Sequence, residues 1–454
     1  MAENYCTPLD ITQIERNFAD LDPAMSLAEA AVEANRCLYC YDAPCMHACP
    51  THIDVPSFIK KIASGNVTGA ARVIFDANPI GATCARVCPV DVLCEGACVE
   101  KTLVKKPIEI GRLQRFATDF AMATEKQLFH AGEPNGRSVG IVGSGPSGLS
   151  CATYLARLGY SVTVYERRAE AGGLNTYGMA EYKMPKSVSH AEVKQVRKLG
   201  VEFRLSTSVG TDVSFDELRS AHDAIFLAVG LGQTNKLNIP GEDLDGVIDA
   251  LHFIERVKTR DWRSVPLGQN VIVLGAGNTA IDAVTQAKRL GAGKVTLVYR
   301  RTEKDAPAYD YEMELARKDG IEFMWQTSPV EILGTERVSG MRVTDAAALV
   351  SEIPCDQVIK AIGQQKMVSF FADIAGVATD EKGRVAISQN MQTSDPKVFA
   401  GGDCANGGAE AVDASQMGKL AAMGIHEALS GEKVEFAGAI LRDPPKAPVD
   451  PNPH

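Results

Sequence analysis

The sequence lacks the features that would export the chain or insert it into a membrane. It contains no run of eighteen apolar residues, so it predicts no transmembrane helix. The opening residues, MAENYCTPLDITQIERNF, lack the basic start and the apolar run of a secretory signal. We therefore expect a cytoplasmic protein with no membrane partner, in a reducing compartment where structural disulfides are rare.

Positive charge is scarce and scattered. The 454 residues carry a formal net charge of −10, and the lysines and arginines form no block or stripe. A nucleic-acid partner is therefore not expected, because binding to a phosphate backbone needs concentrated positive charge. Hydrophobic residues make up 45% and charged residues 23%, which is typical of a folded protein, and the length predicts two to four domains.

Cysteine, in contrast, is abundant and unevenly placed. Eight of the twelve cysteines lie between Cys37 and Cys98, and the others are scattered along the chain. In a cytosolic protein such a concentration indicates metal binding or redox chemistry.

The first glycine-rich motif is Gly143-x-Gly145-x-x-Gly148, between the strand-forming stretch VGIV and a helical stretch. The glycines allow a tight turn and a close approach to a pyrophosphate, and the helix start offers free N–H groups. Glu166 ends the next strand, where a carboxylate accepts hydrogen bonds from ribose hydroxyls. The pattern predicts a dinucleotide site; the alternative is merely a tight turn.

A second motif, Gly275-x-Gly277-x-x-Ala280, follows about 130 residues later. The strand after its helix ends in Arg300 and Arg301 instead of an acid. Arginines would pair with a 2′-phosphate, which favours NADPH over NADH. The alternative is that both arginines simply face solvent.

Further stretches accompany these motifs. AGGLNTYG follows the first unit, FLAVG and VIKAIG form short strands, and TSDPKVFAGGDCANGGAEAVDASQMGKLAA closes the chain's folded part. Together they resemble flavoproteins with two dinucleotide-binding domains, over about 300 residues. The resemblance implies FAD in the first unit, NAD(P)H in the second, and a first domain interrupted by the second. Asp403 would contact the flavin part of FAD.

The clustered cysteines follow the spacing Cys37-x2-Cys40-x4-Cys45-x3-Cys49-Pro and Cys84-x3-Cys88-Pro-x4-Cys94-x3-Cys98. Structural zinc sites favour two C-x2-C pairs, and only one is present. The Cys-x3-Cys-Pro ending is typical of ferredoxin ligand runs, although the gap of four departs from the bacterial pattern. Iron–sulfur is therefore favoured, with zinc and inert thiols as alternatives.

The remaining cysteines of the nucleotide domains, Cys151, Cys355 and Cys404, are each alone in sequence. They offer no redox disulfide, and we expect them to be small buried hydrophobic residues. Electrons from the flavin must therefore leave by another route.

The stretches CLYCYDAPCMHACPTHIDVPSFI, GATCARVCPVDVLCEGAC and PIEIGRLQRFATDF carry a closer resemblance. They resemble the N-terminal electron-input part of dihydropyrimidine dehydrogenase, which in bacteria is a separate subunit, and the similarity runs over nearly the whole chain. The broader group includes the small subunit of glutamate synthase, which shares the cysteine spacing. The YDAPC and DVPSFI stretches favour the pyrimidine branch.

This resemblance implies two 4Fe–4S clusters. Carried over by position, the ligands of one are Cys37, Cys40, Cys45 and Cys98, and those of the other are Cys49, Cys88, Cys94 and Gln114. Spacing alone would favour Cys84 as the eighth ligand. A neutral amide in place of a thiolate should raise the potential of that cluster.

The resemblance also implies nucleotide contacts. Those for FAD are Ser144, Gly145, Pro146, Ser147, Gly148, Glu166, Leu174, Lys183 and Asp403. Those for the nicotinamide nucleotide are Ala276, Gly277, Asn278, Thr279, Arg300, Arg301, Ala361, Ile362 and Gly363. The family has a further arginine near the 2′-phosphate of the nucleotide, and this sequence has no clear counterpart to it around Lys304–Pro307. The resemblance therefore also allows NADH as the nucleotide. No residue is predicted as a catalytic acid or base, because the cofactors carry the chemistry.

The predicted fold is therefore α/β, with a helical iron–sulfur domain followed by two doubly wound dinucleotide-binding domains. The predicted boundaries are 1–135 for the helical domain, 136–233 and 366–435 for the FAD domain, 234–365 for the NAD(P) domain, and 436–454 for a disordered tail. Within the helical domain, SLAEAAVEANRCL predicts a helix capped by Ser26, and a later helical stretch should break near Gly65–Asn66.

The resemblance implies an enzyme that oxidises NAD(P)H at FAD. Electrons would pass through two clusters to an FMN-containing partner subunit that reduces uracil or thymine to the 5,6-dihydro compound. This chain leaves no βα repeats for the barrel that such a partner needs. One alternative is the small subunit of glutamate synthase. Another is a non-enzymatic iron–sulfur scaffold or redox sensor.

Overall fold

The computed structural model describes residues 9–437, and these form two compact units. The first unit contains 9–21, Leu174–Lys186 and Gly232–Gln365. The second contains Asp22–Gly173, Ser187–Leu231 and 366–437. Most of the predicted tail, 438–454, lies outside the described residues. The chain thus passes between the units several times.

The N-terminal region is helical. Its helices are α1 (Ile11–Asn17), α2 (Leu27–Ala34), α3 (Pro44–Ala48), α4 (Val55–Ala63), α5 (Val67–Ala77), α6 (Gly81–Val87), α7 (Val99–Leu103) and α8 (Ile110–Ala123). Ser26 caps α2 in a capping box with Glu29, as predicted. The predicted break lies between α4 and α5, where Gly65 has φ +77° and Asn66 caps the new helix.

Strands begin at Ser138. Up to residue 231 the elements are β1 (Ser138–Val142), α9 (Pro146–Arg157), β2 (Ser161–Tyr165), α10 (Leu174–Tyr177), α11 (Lys186–Arg197), β3 (Glu202–Arg204), α12 (Phe215–Ala221) and β4 (Ala224–Leu227). The central strands β1 and β4 are almost wholly buried, because helices cover a parallel sheet on both faces.

A second set of elements follows. It comprises β5 (Val247–Asp249), α13 (Ala250–Thr259), β6 (Asn270–Leu274), α14 (Asn278–Leu290), β7 (Lys294–Val298), α15 (Asp310–Lys318), β8 (Glu322–Met324), β9 (Ser328–Gly334), β10 (Val338–Thr344), β11 (Val350–Ile353) and β12 (Gln357–Lys360). Two short 3₁₀ turns lie at Trp262–Ser264 and Glu303–Asp305. The described chain ends with α16 (Val368–Ala372), β13 (Val398–Ala400), α17 (Asp403–Asn406) and α18 (Ala411–Ser430).

The strands form two parallel five-stranded sheets and one antiparallel three-stranded sheet. The sheet of the second unit has the order β13-β4-β1-β2-β3, and that of the first unit has the order β5-β12-β6-β7-β8. Strand β1 is central in the sheet of the second unit and leads into the first glycine motif. Strand β6 is central in the sheet of the first unit and leads into the second glycine motif. Both sheets are doubly wound, so ligands are expected at the carboxyl ends of these strands.

The sheet order explains why the first dinucleotide domain is discontinuous. Strand β13 comes late in the chain yet pairs with β4 in the same sheet as β1, with Phe399 opposite Phe226. Cys151 and Cys404 are buried in the core of this unit, and Cys355 in that of the other, as expected. Between residues 9 and 437, no helix combines the length and apolar character needed to span a membrane.

Candidate functional site

The first glycine motif forms the turn between β1 and α9. Gly143 has φ +102°, and a Cβ atom there would lie 2.4 Å from the carbonyl oxygen of Ala228. A Cβ on Gly148 would lie 2.1 Å from the carbonyl oxygen of Gly143. Neither position can hold a side chain without moving the backbone, so the motif is required by the turn itself.

The N-terminus of α9 is open to a ligand. Gly145 precedes the helix with no side-chain cap, and a Cβ built on it would meet no atom closer than 4.0 Å. The Ser147 hydroxyl is buried and has no hydrogen-bond partner among the described residues. Free helical N–H groups, open space and an unsatisfied hydroxyl fit the pyrophosphate of a dinucleotide.

Glu166 follows β2 and anchors this turn. One carboxylate oxygen accepts from the Ser144 N–H at 3.0 Å and from its hydroxyl at 2.5 Å. The other accepts from the Arg168 N–H at 2.9 Å. The Ser144 oxygen in turn accepts from the Gly172 N–H at 3.0 Å. The carboxylate therefore organises the loop, and its remaining lone pairs are available to ribose hydroxyls.

The closing segment reaches the same turn. A Cβ on Gly402, which has φ +74°, would lie 3.0 Å from the Cβ of Ser147. Asp403 follows as the first residue of α17, and burial raises the pKa of its carboxyl. The Ser150 hydroxyl donates to the carbonyl of Ser415 at 2.7 Å, which fixes α18 against α9.

The two other residues predicted to contact FAD lie in the first unit. Leu174 begins α10 and is partly exposed. The Lys183 ammonium pairs with the carboxylates of Asp282, at 2.6 Å, and Glu312. Burial alone would lower the pKa of Lys183, but these carboxylates raise it well above its ordinary value. Both residues stay predictions as FAD contacts.

The second glycine motif opens onto a cavity of about 710 Å³. Eight predicted residues line it: Ala276, Gly277, Thr279, Arg300, Arg301, Ala361, Ile362 and Gly363. The ninth, Asn278, is not in the lining, and its side-chain oxygen accepts from the Tyr309 N–H at 3.2 Å. Gly275 has φ +119°, and a Cβ there would lie 2.2 Å from the carbonyl oxygen of Ala361.

Positive charge lines this cavity. Arg300 and Arg301 follow β7, and Lys236 and Lys360 are two further cations that the sequence pattern did not identify. Lys360 is paired with Glu242 at 2.9 Å and with Asp249 at 3.2 Å, which leaves Lys236 as the third cation toward a ligand. Lys236 belongs to a segment tied to the VIKAIG turn, because the Asn235 N–H donates to the carbonyl of Gly363 at 2.9 Å. This arrangement suits an anionic nucleotide, and no local motif in the sequence marks it.

Four of the clustered thiols meet at one place. Cys37, Cys40, Cys45 and Cys98 line a single hollow beside Ile59. Burial, followed by the neighbouring thiols of Cys98, Cys37 and Cys40, raises the pKa of Cys45 to about 12. This is the first set of ligands that the sequence predicts, and we call it the first thiol set.

The second thiol set consists of Cys49, Cys88 and Cys94. The pKa of Cys88 is raised by a hydrogen bond with Cys84, by burial, and by the nearby thiols, which include Cys49 and Cys94. Burial and Cys49 likewise raise the pKa of Cys94. These thiols therefore lie close together, as ligands of one cluster must.

Two side chains are candidates for the eighth ligand. The buried Gln114 amide on α8 donates to the carbonyl of Gly81 at 2.7 Å, which leaves its oxygen as the atom available to a metal. Cys84 lies next to Cys88, and its sulfur accepts from the Asn78 amide at 3.1 Å. The assignment of Gln114 stays a prediction.

Within residues 9–437, no three His, Cys, Asp or Glu side chains are arranged to hold a single metal ion. A 4Fe–4S cluster does not need such convergence, because its thiolates bind different irons. Two groups of partly or fully buried thiols on helix ends and loops therefore fit iron–sulfur clusters.

The sequence matches two protein families. It matches the family described as pyridine nucleotide-disulphide oxidoreductase over residues 102–219 and 137–418. It matches dihydropyrimidine dehydrogenase domain II, 4Fe-4S cluster, over residues 14–126. The second match covers both thiol sets and Gln114.

Named relatives extend over almost the whole chain. The NAD-dependent dihydropyrimidine dehydrogenase subunit PreT of Escherichia coli K12 is 35% identical over 92% of this chain and 98% of its own length. The glutamate synthase [NADPH] small chain of the same organism is 36% identical over 92% of this chain and 95% of its own length. The chain is therefore similar to both branches to the same degree.

Solved structures agree on the fold. FprA of Mycobacterium tuberculosis in complex with NADPH matches with a TM-score of 0.54 and 20% identity, over 66% of this chain and 85% of its own. Thioredoxin reductase of Lactococcus lactis matches with a TM-score of 0.55 and 24% identity, over 65% and 100%. Both confirm the predicted architecture of two dinucleotide-binding domains.

The geometry and these matches lead to one class of enzyme. The chain is an oxidoreductase that uses FAD and NAD(P)H and carries a 4Fe–4S domain for electron transfer. It belongs to the family of iron–sulfur flavoproteins that contains dihydropyrimidine dehydrogenase subunit PreT and the glutamate synthase small chain.

Proposed function

We propose that this chain is the electron-input subunit of a dihydropyrimidine dehydrogenase. It would bind FAD at the first glycine motif, NAD(P)H at the second, and one 4Fe–4S cluster at each thiol set. FAD held at the first glycine motif would supply the conversion between hydride transfer, which moves two electrons, and the single-electron transfer that iron–sulfur clusters need. A partner subunit would use them to reduce uracil or thymine.

The observation that carries the proposal is that both thiol sets share one compact unit with the first glycine motif. Direct contacts join the two parts of this unit. The Ser415 hydroxyl on α18 donates to the side-chain oxygen of Asn78, at 2.8 Å. The buried Lys419 ammonium donates to the carbonyl of Thr51, two residues after Cys49, at 3.1 Å. Helix α18, which packs on the helix after the first glycine motif, is thus also bonded to the region that carries both thiol sets.

We also propose that the nucleotide is NADPH. The support is the cluster of Arg300, Arg301 and Lys236 at the cavity, since cations in a partly enclosed site favour a 2′-phosphate. The name of the PreT relative specifies NAD, and that of the glutamate synthase relative specifies NADPH.

The second candidate function is the small subunit of glutamate synthase, which the 36% identity to that chain favours. The residues of the described sites do not separate the two functions, because in both this chain would oxidise NAD(P)H and the partner subunit would bind the second substrate.

The deciding experiment is anaerobic purification of the chain with its native partner. NADH and NADPH oxidation would then be followed with uracil, and separately with glutamine plus 2-oxoglutarate. We expect oxidation that depends on uracil and is lost when the partner is removed. Oxidation only with glutamine and 2-oxoglutarate would reject the pyrimidine reaction.

A further inference from the structure

Exposed apolar side chains concentrate around the first thiol set. In residues 9–437, nine large apolar side chains are more than half exposed, and seven of them lie between Leu27 and Val104. Tyr41, one residue after Cys40, is fully exposed. A free monomer rarely leaves so many apolar groups in one region unless another protein covers them.

Five of these side chains, Val32, Leu38, Tyr41, Leu103 and Val104, belong to α2, to the loop that carries Cys37 and Cys40, and to the C-terminal end of α7. Other residues of this loop and of α7 line the hollow of the first thiol set, and we call the five side chains the cluster face. Leu38 lines the hollow and is 52% exposed.

Contacts of Arg36 bring the parts of the cluster face together. Its guanidinium donates to the carbonyls of Lys106, at 2.7 Å, and Pro107, at 3.3 Å. The segment after α7 therefore lies beside the C-terminal end of α2, where Cys37 and Leu38 follow. The apolar residues from both segments thus belong to one surface.

The cluster face has a positive edge in a chain of net charge −10. Lys101, Lys105 and Lys106 are all exposed there. Of the neighbouring acids, Asp42 is paired with His47, and Glu109 is paired with Arg112 at 2.5 Å and with Lys106 at 3.6 Å. Two further acids lie nearby: Glu100, which lines the hollow, and the exposed Asp91, whose backbone carbonyl accepts from Lys101 at 3.4 Å.

We infer that the cluster face docks an electron-accepting protein subunit whose own surface is apolar at the centre and acidic at the edge. This inference rests on the proposed function and names the surface that the partner covers. Electron transfer requires the partner's acceptor to approach the thiols, and three of the first thiol set, Cys37, Cys40 and Cys45, are partly exposed. An aromatic anchor with an apolar surround and a charged edge is typical of protein interfaces.

The charges also argue against a second copy as the occupant. In a two-fold symmetric contact the same surface meets itself. Such a contact would bring two surfaces together that each carry the exposed Lys101, Lys105 and Lys106, so the like charges of the two copies would oppose it. A partner with carboxylates at matching positions would instead be attracted, and its association rate would fall with added salt.

The test compares two variants with matched controls in the holoprotein. Tyr41→Ser combined with Val104→Ser removes apolar groups from the cluster face. Leu349→Ser combined with Val350→Ser removes two apolar groups of the other unit that are also more than half exposed. Lys105→Glu reverses one charge of the edge, and Lys382→Glu reverses an exposed lysine elsewhere. Flavin and iron contents and NAD(P)H–ferricyanide activity should be unchanged in all of them.

The probe is the purified partner subunit. It is the subunit with which the wild-type chain oxidises NAD(P)H when uracil, or glutamine plus 2-oxoglutarate, is added. We expect its Kd, measured by interferometry, to rise at least about tenfold for the apolar cluster-face variant and to stay constant for its control. Lys105→Glu should slow association and weaken its salt dependence, while Lys382→Glu should not.

Unchanged binding by both cluster-face variants would overturn the inference. A wild-type dimer that becomes monomeric in the apolar variant would also overturn it, since the occupant would be a second copy. If the partner instead supports glutamate synthesis and its Kd rises as described, the proposed function is wrong and the docking surface is supported. If neither kind of subunit confers activity, both proposals fail.

Discussion

At the scale of single residues, two glycines of the first motif differ in what they do. Gly148 is required by the turn, because a Cβ there would lie 2.1 Å from a backbone carbonyl oxygen. Gly145 keeps space free, because a Cβ there would meet no atom closer than the Cα of Gly173, at 4.0 Å. The sequence motif requires glycine at both positions and does not tell their roles apart. The structure shows that Gly148 is needed for the backbone turn and that Gly145 leaves open space beside the helix N-terminus.

We therefore predict different results for the two alanine variants. Gly148→Ala should destabilise the protein by a few kcal/mol, with FAD removed as well as bound. Gly145→Ala should leave the FAD-free protein as stable as the wild type but weaken FAD binding, since the methyl group occupies the space left for the pyrophosphate. The thermal midpoints of each variant with and without FAD measure its stability, and a flavin titration measures its affinity for FAD. Equal losses of stability would contradict this distinction.

The arginines after β7 give a second prediction. Arg300→Ala combined with Arg301→Ala should raise the KM for NADPH about tenfold or more, because the charge-assisted hydrogen bonds to the 2′-phosphate are lost. The KM for NADH should change little. The assay is NAD(P)H–ferricyanide reduction, with the exposed Arg260→Ala as the control. Similar changes for both nucleotides would reject the preference for NADPH.

The eighth cluster ligand is a question about a single residue, either Gln114 or Cys84. Gln114→Ala should lower the iron content by up to half, or alter the potential and EPR signal of one cluster, because it removes the amide oxygen that we predict to be a ligand. Cys84→Ser should leave both properties nearly unchanged. The reverse result would make Cys84 the ligand, as the spacing alone favoured.

At the scale of elements, α6 and α11 are joined by a buried carboxyl. The Thr83 N–H and hydroxyl donate to Glu192 at 2.8 and 2.5 Å. Burial raises the pKa of Glu192 to about 7, although the hydrogen bonds from Thr83 oppose this shift. Because the folded-state pKa exceeds the unfolded one, the folded state binds more protons between the two values.

Stability from this group is therefore greatest at low pH and falls as pH rises from about 4.5 to about 7, by roughly 3 kcal/mol at most. Glu192→Gln removes the charge, so its thermal midpoint should depend less on pH between 5 and 8 than that of the wild type. The exposed Glu381→Gln serves as the control. Parallel pH profiles for wild type and Glu192→Gln would contradict the raised pKa.

Elements were largely predictable because their signals are local. The cap at Ser26, the break at Gly65 and the two strand–turn–helix motifs each depend on a few neighbouring residues. The role of Lys236 was not predictable, because it depends on a hydrogen bond from Asn235 to a turn more than a hundred residues later.

At the scale of the whole molecule, the sites are divided between the two units. The cavity with Arg300 lies in one, and the first glycine motif and both thiol sets lie in the other. A ligand stabilises the unit that binds it, by about 2.7 kcal/mol at a concentration of 100 times its Kd.

We therefore predict that NADP⁺ raises one thermal transition of the protein by roughly 5–10 °C and leaves the other almost unchanged. Removal of FAD should lower the other transition. Scanning calorimetry of the anaerobic protein measures both, and the Arg300→Ala, Arg301→Ala variant should lose the NADP⁺ shift. A single transition that both ligands move together would show that the units unfold as one.

The sequence by itself determined the class of the protein. Glycine spacing sets the turns, strand and helix periodicity sets the two doubly wound sheets, and cysteine spacing favours iron–sulfur clusters over zinc. Each of these depends on residues within one turn or loop. Only the tertiary structure showed that the four thiols of the first set meet as the resemblance implied, that Cys84 lies beside Cys88, and that Lys183 pairs with Asp282. It also showed that exposed apolar residues are concentrated in the helices and loops next to the first thiol set. These contacts join distant parts of the chain, so they depend on how its elements pack and not on any local pattern.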